Sequence, residues 1–229
     1  MKKIFFAFFT LFCAAGLFAD YDPPDGGEEL YDLVSPLALA GGPSVVSMES
    51  PLADAWNPAA SGLQQRTSLE VNYIGLADFN DDGWEGHVVN LGASFPTKYG
   101  VLTSSLQYFS STIDQMYLGQ MGTVRASFAK DLYSDLLVGA GLHFTGGSAD
   151  RAGSSDFGIA ADFGFIHLPQ EFFGLEKFRW GGALRNVGKW YAPVDGRSAF
   201  PSPFTPALGA GFTAAHTQDI SLELTGDIS

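Results

Sequence analysis

Residues 136–145 read LLVGAGLHFT, a stretch in which large apolar side chains alternate with small or polar ones. Leu142 and Phe144 belong to one half of the alternation, and His143 and Thr145 belong to the other. Successive side chains of a β-strand point to opposite faces of the sheet. A period of two residues therefore predicts a strand here, with one apolar face and one face of polar or small residues.

Eight further segments show the same period of two residues. They are 67–76, 89–95, 102–108, 123–128, 157–165, 178–185, 207–214 and 220–229. Segments of about ten residues have the length that a tilted strand needs to cross a bilayer. We therefore predict an all-β fold of about nine antiparallel strands.

Glycines recur inside these predicted strands, at Gly139, Gly141, Gly209 and Gly211. Glycine within a strand indicates either an interruption of strand pairing or a simple relief of crowding. The first interpretation marks places at which a wall of strands opens, and the second does not.

Two architectures explain the alternation. In a water-soluble β-sandwich the apolar face packs a core and the polar face meets water. In an outer-membrane barrel the apolar face meets lipid, and the small or polar face lines the interior. The polar faces of this chain are poor in Lys and Glu and rich in Gly, Ser, Thr and Ala, which favours the barrel. We predict an antiparallel outer-membrane β-barrel, partial at about nine strands.

Aromatic residues cluster near the ends of the predicted strands, as an aromatic girdle at the membrane interface requires. They are Tyr73, Phe79, Trp84, Phe95, Tyr99, Tyr108, Tyr117, Tyr133, Trp180 and Trp190. Their positions add to the prediction that the lipid bilayer is a partner of the chain.

The overall composition excludes two classes of protein. Hydrophobic residues make up 46% of the 229 residues and charged residues only 16%, whereas intrinsically disordered chains combine few apolar residues with many charges. The 12 Lys and Arg against 25 Asp and Glu give a net charge of −13. Nucleic-acid binding demands the opposite sign, so we predict no nucleic-acid partner.

The first 19 residues are typical of a secretory signal peptide. Lys2 and Lys3 precede a short apolar run, and small residues follow up to Ala19, after which we place the cleavage site. A competing interpretation is lipoprotein processing at Cys13, the only cysteine of the chain. The signal peptide predicts export, and together with the predicted barrel it predicts localisation in the cell outer membrane. Residues 20–65 then form one N-terminal unit, and the barrel strands occupy 66–229.

Asn57 and Pro58 have a local physical role in the N-terminal unit 20–65. Asn is a good helix N-cap, and Pro suits the first helical position because its missing N–H would have no partner there. Ala59 continues the turn. The sequence allows two interpretations, a local capping device or a turn that anchors a plug inside the barrel.

Residues 51–60, PLADAWNPAA, followed by Arg66-Thr67 at the start of the first strand, resemble the junction between hatch and barrel of FadL-type long-chain fatty-acid transporters. The chain resembles more closely an uncharacterised spirochaetal (treponemal) family of FadL-like outer-membrane proteins. Residues 183–188, ALRNVG, are similar to a strand-end signature of the same group. The resemblance implies that residues 20–65 are a plug, or hatch, held through Asn57, Pro58 and Ala59. It also implies a hydrophobic ligand that leaves sideways through the wall of the barrel.

The chain departs from this pattern in its number of strands. The relatives have fourteen strands and this chain has nine countable ones, so we expect a product that is incomplete at its C-terminus. The resemblance implies uptake of hydrophobic small molecules such as long-chain fatty acids, with the barrel-assembly machinery as a further partner. The alternatives are a non-transporting surface or secretion-scaffold protein, or a truncated product without transport activity.

Polar residues inside the predicted strands are the candidates for lining the barrel interior. They are Glu70, Asn72, Arg125, His143, Asp162, Arg179 and Arg185.

No residue pattern indicates an enzyme, a cofactor or a metal centre. The four histidines are scattered along the chain without the spacing of metal ligands. Asp78, Asn80 and Asp82 match the first half of a calcium loop, but Val89 stands where the closing Glu is required. Asp-Gly is also a common turn between strands, so a hairpin and a weak surface Ca²⁺ site are both open.

Overall fold

The computed structural model of the chain describes residues 44–46, 50–77, 85–113, 116–148, 155–170, 172–189, 204–216 and 221–228. The predicted signal peptide lies outside the described residues, as does the first part of the predicted plug up to residue 43. The candidate calcium residues Asp78, Asn80 and Asp82 also lie outside them.

The described chain is all-β, as predicted, apart from two short 3₁₀-helices, η1 at Ala53–Ala55 and η2 at Pro58–Leu63. All nine predicted strands are confirmed. They are β1 Ser68–Ala77, β2 Glu85–Thr97, β3 Gly100–Ile113, β4 Met116–Tyr133, β5 Leu136–Ser148, β6 Ser155–His167, β7 Glu176–Lys189, β8 Thr205–His216 and β9 Ser221–Ile228.

The nine strands form one antiparallel sheet in which every strand pairs with its neighbour in the sequence. Strands β1 and β9 stand at the two ends of this order, and no ladder joins them within the described residues. None of the described helices has the length and apolar character needed to cross a membrane.

Residues 50–65, here called the helical segment, contain both 3₁₀-helices and lie against one face of the sheet. Its main contacts are with β4, β5 and β6. Leu52, Trp56 and Ala59 form a buried cluster with Leu137 of β5 and Ile166 of β6. Fully burying a large apolar side chain contributes roughly 1.5–3 kcal/mol, so this cluster is a principal source of attachment between the segment and the sheet.

The face that carries the helical segment, here called the inner face, is mainly polar and buried. Its buried polar residues include Asn90, Ser94, Thr103, Ser105, Gln107, Thr123, Ser127, His143, Thr145 and Asp162. The sequence predicted which alternate residues share this face, and the burial pattern confirms that assignment.

The opposite face, here called the outer face, is apolar and exposed. Its exposed residues include Leu69, Val71, Leu91, Leu102, Leu106, Val124, Leu142, Phe144, Ile159, Phe163, Leu184 and Leu208. A water-soluble sheet buries its apolar face and exposes its polar face. This sheet does the reverse.

The inner face is less uniformly polar than the sequence predicted. Leu137 and Ile166 point to the inner face and are buried under the helical segment, and Val88, Val101 and Phe109 are also buried on that face. Alternation along single strands did not indicate these residues because they neighbour other apolar residues.

Interruptions of strand pairing do not coincide with the glycine-rich stretch 139–141, whose pairing with β4 and β6 is continuous. The register shifts at other places, which are Ser111/Thr112 of β3, Asp131/Tyr133 of β4, Ala161/Phe163 of β6, Glu176/Arg179 of β7 and Thr213/Ala215 of β8. The glycines at 139 and 141 therefore do not mark a break in the described sheet.

Candidate functional site

Asn57 joins the helical segment to the sheet. Its Oδ1 accepts a hydrogen bond from the backbone N–H of Ala59 at 2.9 Å, which confirms the predicted N-cap, and Pro58 occupies the first helical position. Its Nδ2 donates to the carbonyl of Val45 at 2.8 Å and to the carbonyl of Phe165 in β6 at 3.2 Å. The side chain is fully buried, so one residue caps η2 and also attaches it to β6.

Two glycines of the sheet allow the helical segment to approach closely. A Cβ atom at Gly139 would overlap the backbone of Pro58 and Ala59, and a Cβ atom at Gly164 would overlap the side chain of Asn57. Glycine in a strand permits this kind of close backbone contact. The predicted motif Asn57, Pro58 and Ala59 therefore packs directly against Gly139 of β5 and Gly164 of β6.

Asp54 is a buried carboxyl group within η1. Ser105 of β3 donates to its Oδ1 at 3.2 Å, and Ser127 of β4 donates to its Oδ2 at 3.3 Å. Burial raises the pKa of Asp54 from 3.8 to about 6, although nearby Arg125 and the two serine hydrogen bonds oppose this shift. The carboxyl group therefore changes its charge at mildly acidic pH.

Four of the predicted interior residues surround this segment. His143 of β5 and Asp162 of β6 form a buried pair, with Nδ1 and Oδ2 2.9 Å apart. Asp162 also accepts a hydrogen bond from the backbone N–H of Asn186 at 2.8 Å. Arg185 of β7 donates to the carbonyl of Ala55 at 3.4 Å, and Arg125 lies close enough to Asp54 to lower its pKa.

The other three predicted residues lie on the inner face but away from Asp54. Glu70 of β1 accepts a hydrogen bond from Ser50, and Asn72 donates to Glu70 at 3.2 Å. Arg179 of β7 pairs with Glu223 of β9 at 2.6 Å. All seven candidates therefore share the inner face, but they do not converge on one site.

Sequence reasoning missed Asp54, Ser105 and Ser127. Asp54 is the one charged residue in the stretch 51–60, and that isolation among apolar and small residues was the available signal. The alternation assigned the two serines to the polar face but did not indicate their role, because that role depends on contacts with a residue more than fifty positions away.

The described residues contain no cluster of three or more His, Cys, Asp or Glu side chains that is able to hold a metal ion. The calcium interpretation of residues 78–83 falls outside the described part of the chain.

An apolar groove of about 730 Å³ lies between strands β6 to β9. It opens on the outer face, because Phe163, Leu184 and Leu208 are exposed there. Gly182 lines the groove without a side chain. A Cβ atom at this position would come within 2.8 Å of Cδ2 of Leu208 and 3.1 Å of Cε1 of Phe165, so a larger residue would displace these lining side chains. The lining residues are Phe163, Gly164, Phe165, Gly182, Ala183, Leu184, Pro206, Ala207, Leu208 and Ile228.

The groove lies on one side of a strip of sheet, and Asn57, Val45 and Val46 contact the other side of the same strip. Gly164 lies in contact with Asn57, and Ala183 and Ala207 form a buried cluster with Val45 and Val46. The groove therefore lies on the outer side of the strip of sheet whose inner side contacts Asn57, Val45 and Val46. Sequence reasoning did not identify this groove, because four strands contribute to it.

No family model, curated protein or solved structure matches this chain.

Proposed function

We propose that the sheet is part of the wall of an outer-membrane β-barrel and that the helical segment plugs its interior. The observation that carries the proposal is the exposure of apolar side chains over the outer face, together with the burial of polar side chains on the inner face. Exposed apolar patches of this extent are rare on soluble proteins. A lipid-facing wall requires them.

The distribution of charge on the outer face supports a membrane environment. The central outer-face positions of β3 to β6 are 102, 104, 106, 124, 126, 128, 140, 142, 144, 159, 161 and 163, and none of these described positions carries a charged side chain. A charged group at the middle of a bilayer costs several kcal/mol, so an uncharged band is the expected adaptation.

Aromatic residues border this band. Tyr99, Tyr133 and Trp180 lie at the end of the sheet with the tight β2–β3 and β4–β5 turns, and Tyr73 and Tyr108 lie in one row toward the other end. The nine residue-to-residue steps from Tyr99 to Tyr108 span about 30 Å along a strand, which a tilt of 35–45° reduces to about 23 Å. The apolar band of outer-membrane barrels is about 25 Å tall.

Uptake of hydrophobic small molecules is the activity that this arrangement favours. The groove beside Gly182 has an almost wholly apolar lining and a volume in the range of small-molecule sites. It lies on the lipid side of the proposed wall and backs onto Asn57 and Val45 on the inner side. Long-chain fatty acids are proposed as the substrate because residues 51–60 resemble FadL-type transporters. The fold alone does not fix a substrate.

The test is binding of a dansyl-labelled undecanoic acid to the detergent-solubilised chain. Gly182→Leu fills the groove and is expected to weaken saturable binding at least tenfold. Gly226→Leu is the matched control, because Gly226 lies on the same face with no atom within 4 Å of an added Cβ. This control is expected to change binding less than twofold.

Absence of saturable binding by the unaltered chain would contradict the transport proposal and favour a surface or scaffold protein. Equal losses in the two leucine variants would show that the probe binds elsewhere.

A further inference from the structure

We propose that Asp54 is a proton-operated latch, which holds the helical segment against the sheet when its carboxyl group is neutral and weakens the attachment when it ionises. This inference goes beyond the transport proposal and does not depend on it, because the segment and the sheet face that it binds are both described.

The geometry places Asp54 at the point where a latch acts. It lies in η1, yet its two carboxyl oxygens contact Ser105 of β3 and Ser127 of β4. One side chain thus connects the helical segment to two adjacent strands. Asp54 is only 2% exposed, so undocking of the segment transfers this carboxyl group from a buried site to water.

Burial of Asp54 favours its neutral carboxyl group, and this effect outweighs the two serine hydrogen bonds, which favour the ionised group. A neutral carboxyl group donates one hydrogen bond and accepts others, and serine hydroxyls can serve in both roles. Both contacts of the ionised group would be neutral hydroxyls, while burial removes its hydration. Burying a charge without a close partner of opposite charge is costly.

The charged groups around Asp54 only partly offset this cost. Arg125 of β4 attracts the carboxylate, whereas Asp162 of β6 repels it. The carboxylate of Asp162 is in turn hydrogen-bonded to His143 of β5, and Arg185 of β7 donates to the carbonyl of Ala55. Helix η2 contains no titratable residue, and the titratable residue of β3, Tyr108, lies on the outer face, away from Asp54.

The direction of the pH effect follows from proton linkage. The docked state raises the pKa of Asp54 from 3.8 to about 6, so it binds the proton more tightly than the undocked state does. The stabilisation is therefore fully present below pH 3.8 and is lost as the pH rises through about 6. Opening of the helical segment is expected to increase about tenfold between pH 5 and pH 8.

Thiol reactivity within the helical segment measures this opening. Ser61→Cys, in the Cys13→Ser background, places a nearly isosteric thiol at a fully buried position. Gln65→Cys provides the matched exposed thiol four residues away. The ratio of their reaction rates with 4,4′-dithiodipyridine removes the intrinsic pH dependence of thiol chemistry, and we expect this ratio to rise about tenfold from pH 5 to pH 8.

Two variants assign the effect to Asp54. Asp54→Asn retains hydrogen bonding without a titratable group and leaves His143 unchanged, so the ratio is expected to be independent of pH. Ser105→Ala removes a hydrogen bond that favours the ionised form and is expected to move the midpoint of the change to higher pH. An unchanged ratio in the native background, or the same pH dependence in Asp54→Asn, would overturn the inference.

Discussion

The side chain of Asn57 occupies the space above Gly164 that any Cβ atom at that position would fill. The contact joins η2 to β6 and lies beside the hydrogen bond from Asn57 Nδ2 to the carbonyl of Phe165. Asn57 can therefore occupy this position only because residue 164 has no side chain.

Gly164→Ala is expected to destabilise the protein by about 2–3 kcal/mol. The added methyl group displaces Asn57, which then loses its cap and its hydrogen bonds to backbone carbonyls, and each loss is worth about 1 kcal/mol or more. Urea unfolding of the detergent-solubilised chain measures the change. Gly226→Ala meets open space and serves as the control, with an expected change within about 0.5 kcal/mol.

Asn57→Asp separates the two roles of residue 57. An aspartate keeps the oxygen that caps Ala59 but cannot donate to the carbonyls of Val45 and Phe165. We expect a loss of stability at least as large as that of Asn57→Ala, because a carboxylate would face two carbonyl oxygens in a buried site. Full stability of Asn57→Asp in the same unfolding experiment would show that residue 57 stabilises the protein only as a local helix cap.

Leu142→Arg tests the environment of the outer face. Leu142 is 62% exposed at the centre of β5, and an arginine at the middle of a bilayer costs about 2–4 kcal/mol in barrels. Leu132→Arg is the control, since Leu132 is 54% exposed but lies at the end of β4, where the cost is about 0–1 kcal/mol. Unfolding titrations in lipid vesicles compare the two; equal, near-zero costs would place the outer face in water.

The two edge strands of the sheet lead to a further prediction about the 229-residue chain expressed by itself. Strands β1 and β9 are not paired with each other within the described residues, and unpaired backbone groups in hydrocarbon cost several kcal/mol each. We expect this polypeptide to pair its edges with another copy or with additional strands. Heat-modifiable migration as a closed monomer on gel electrophoresis would contradict this expectation.

The strands were predictable because their signal is local. The alternation of Leu142 and Phe144 with His143 and Thr145 predicts both the strand and which residues lie on each of its two faces. The inner apolar residues were not predictable in the same way, since Leu137 and Ile166 are buried by the helical segment rather than by the pattern of their own strands.

The candidate site was predictable only in part. The capping role of Asn57 follows from the order Asn-Pro, but its bond to Phe165 spans more than a hundred residues of chain. The environment of Asp54 likewise depends on serines of two other strands. The groove beside Gly182 depends on the register of four strands, which a single sequence does not fix.

The central claim is that the outer face contacts lipid, and membrane fractionation of cells that express the chain tests it most directly. We predict that the chain sediments with the outer membrane, resists extraction by alkaline carbonate and enters solution only with detergent. Recovery of the folded chain as a soluble periplasmic monomer would contradict the account.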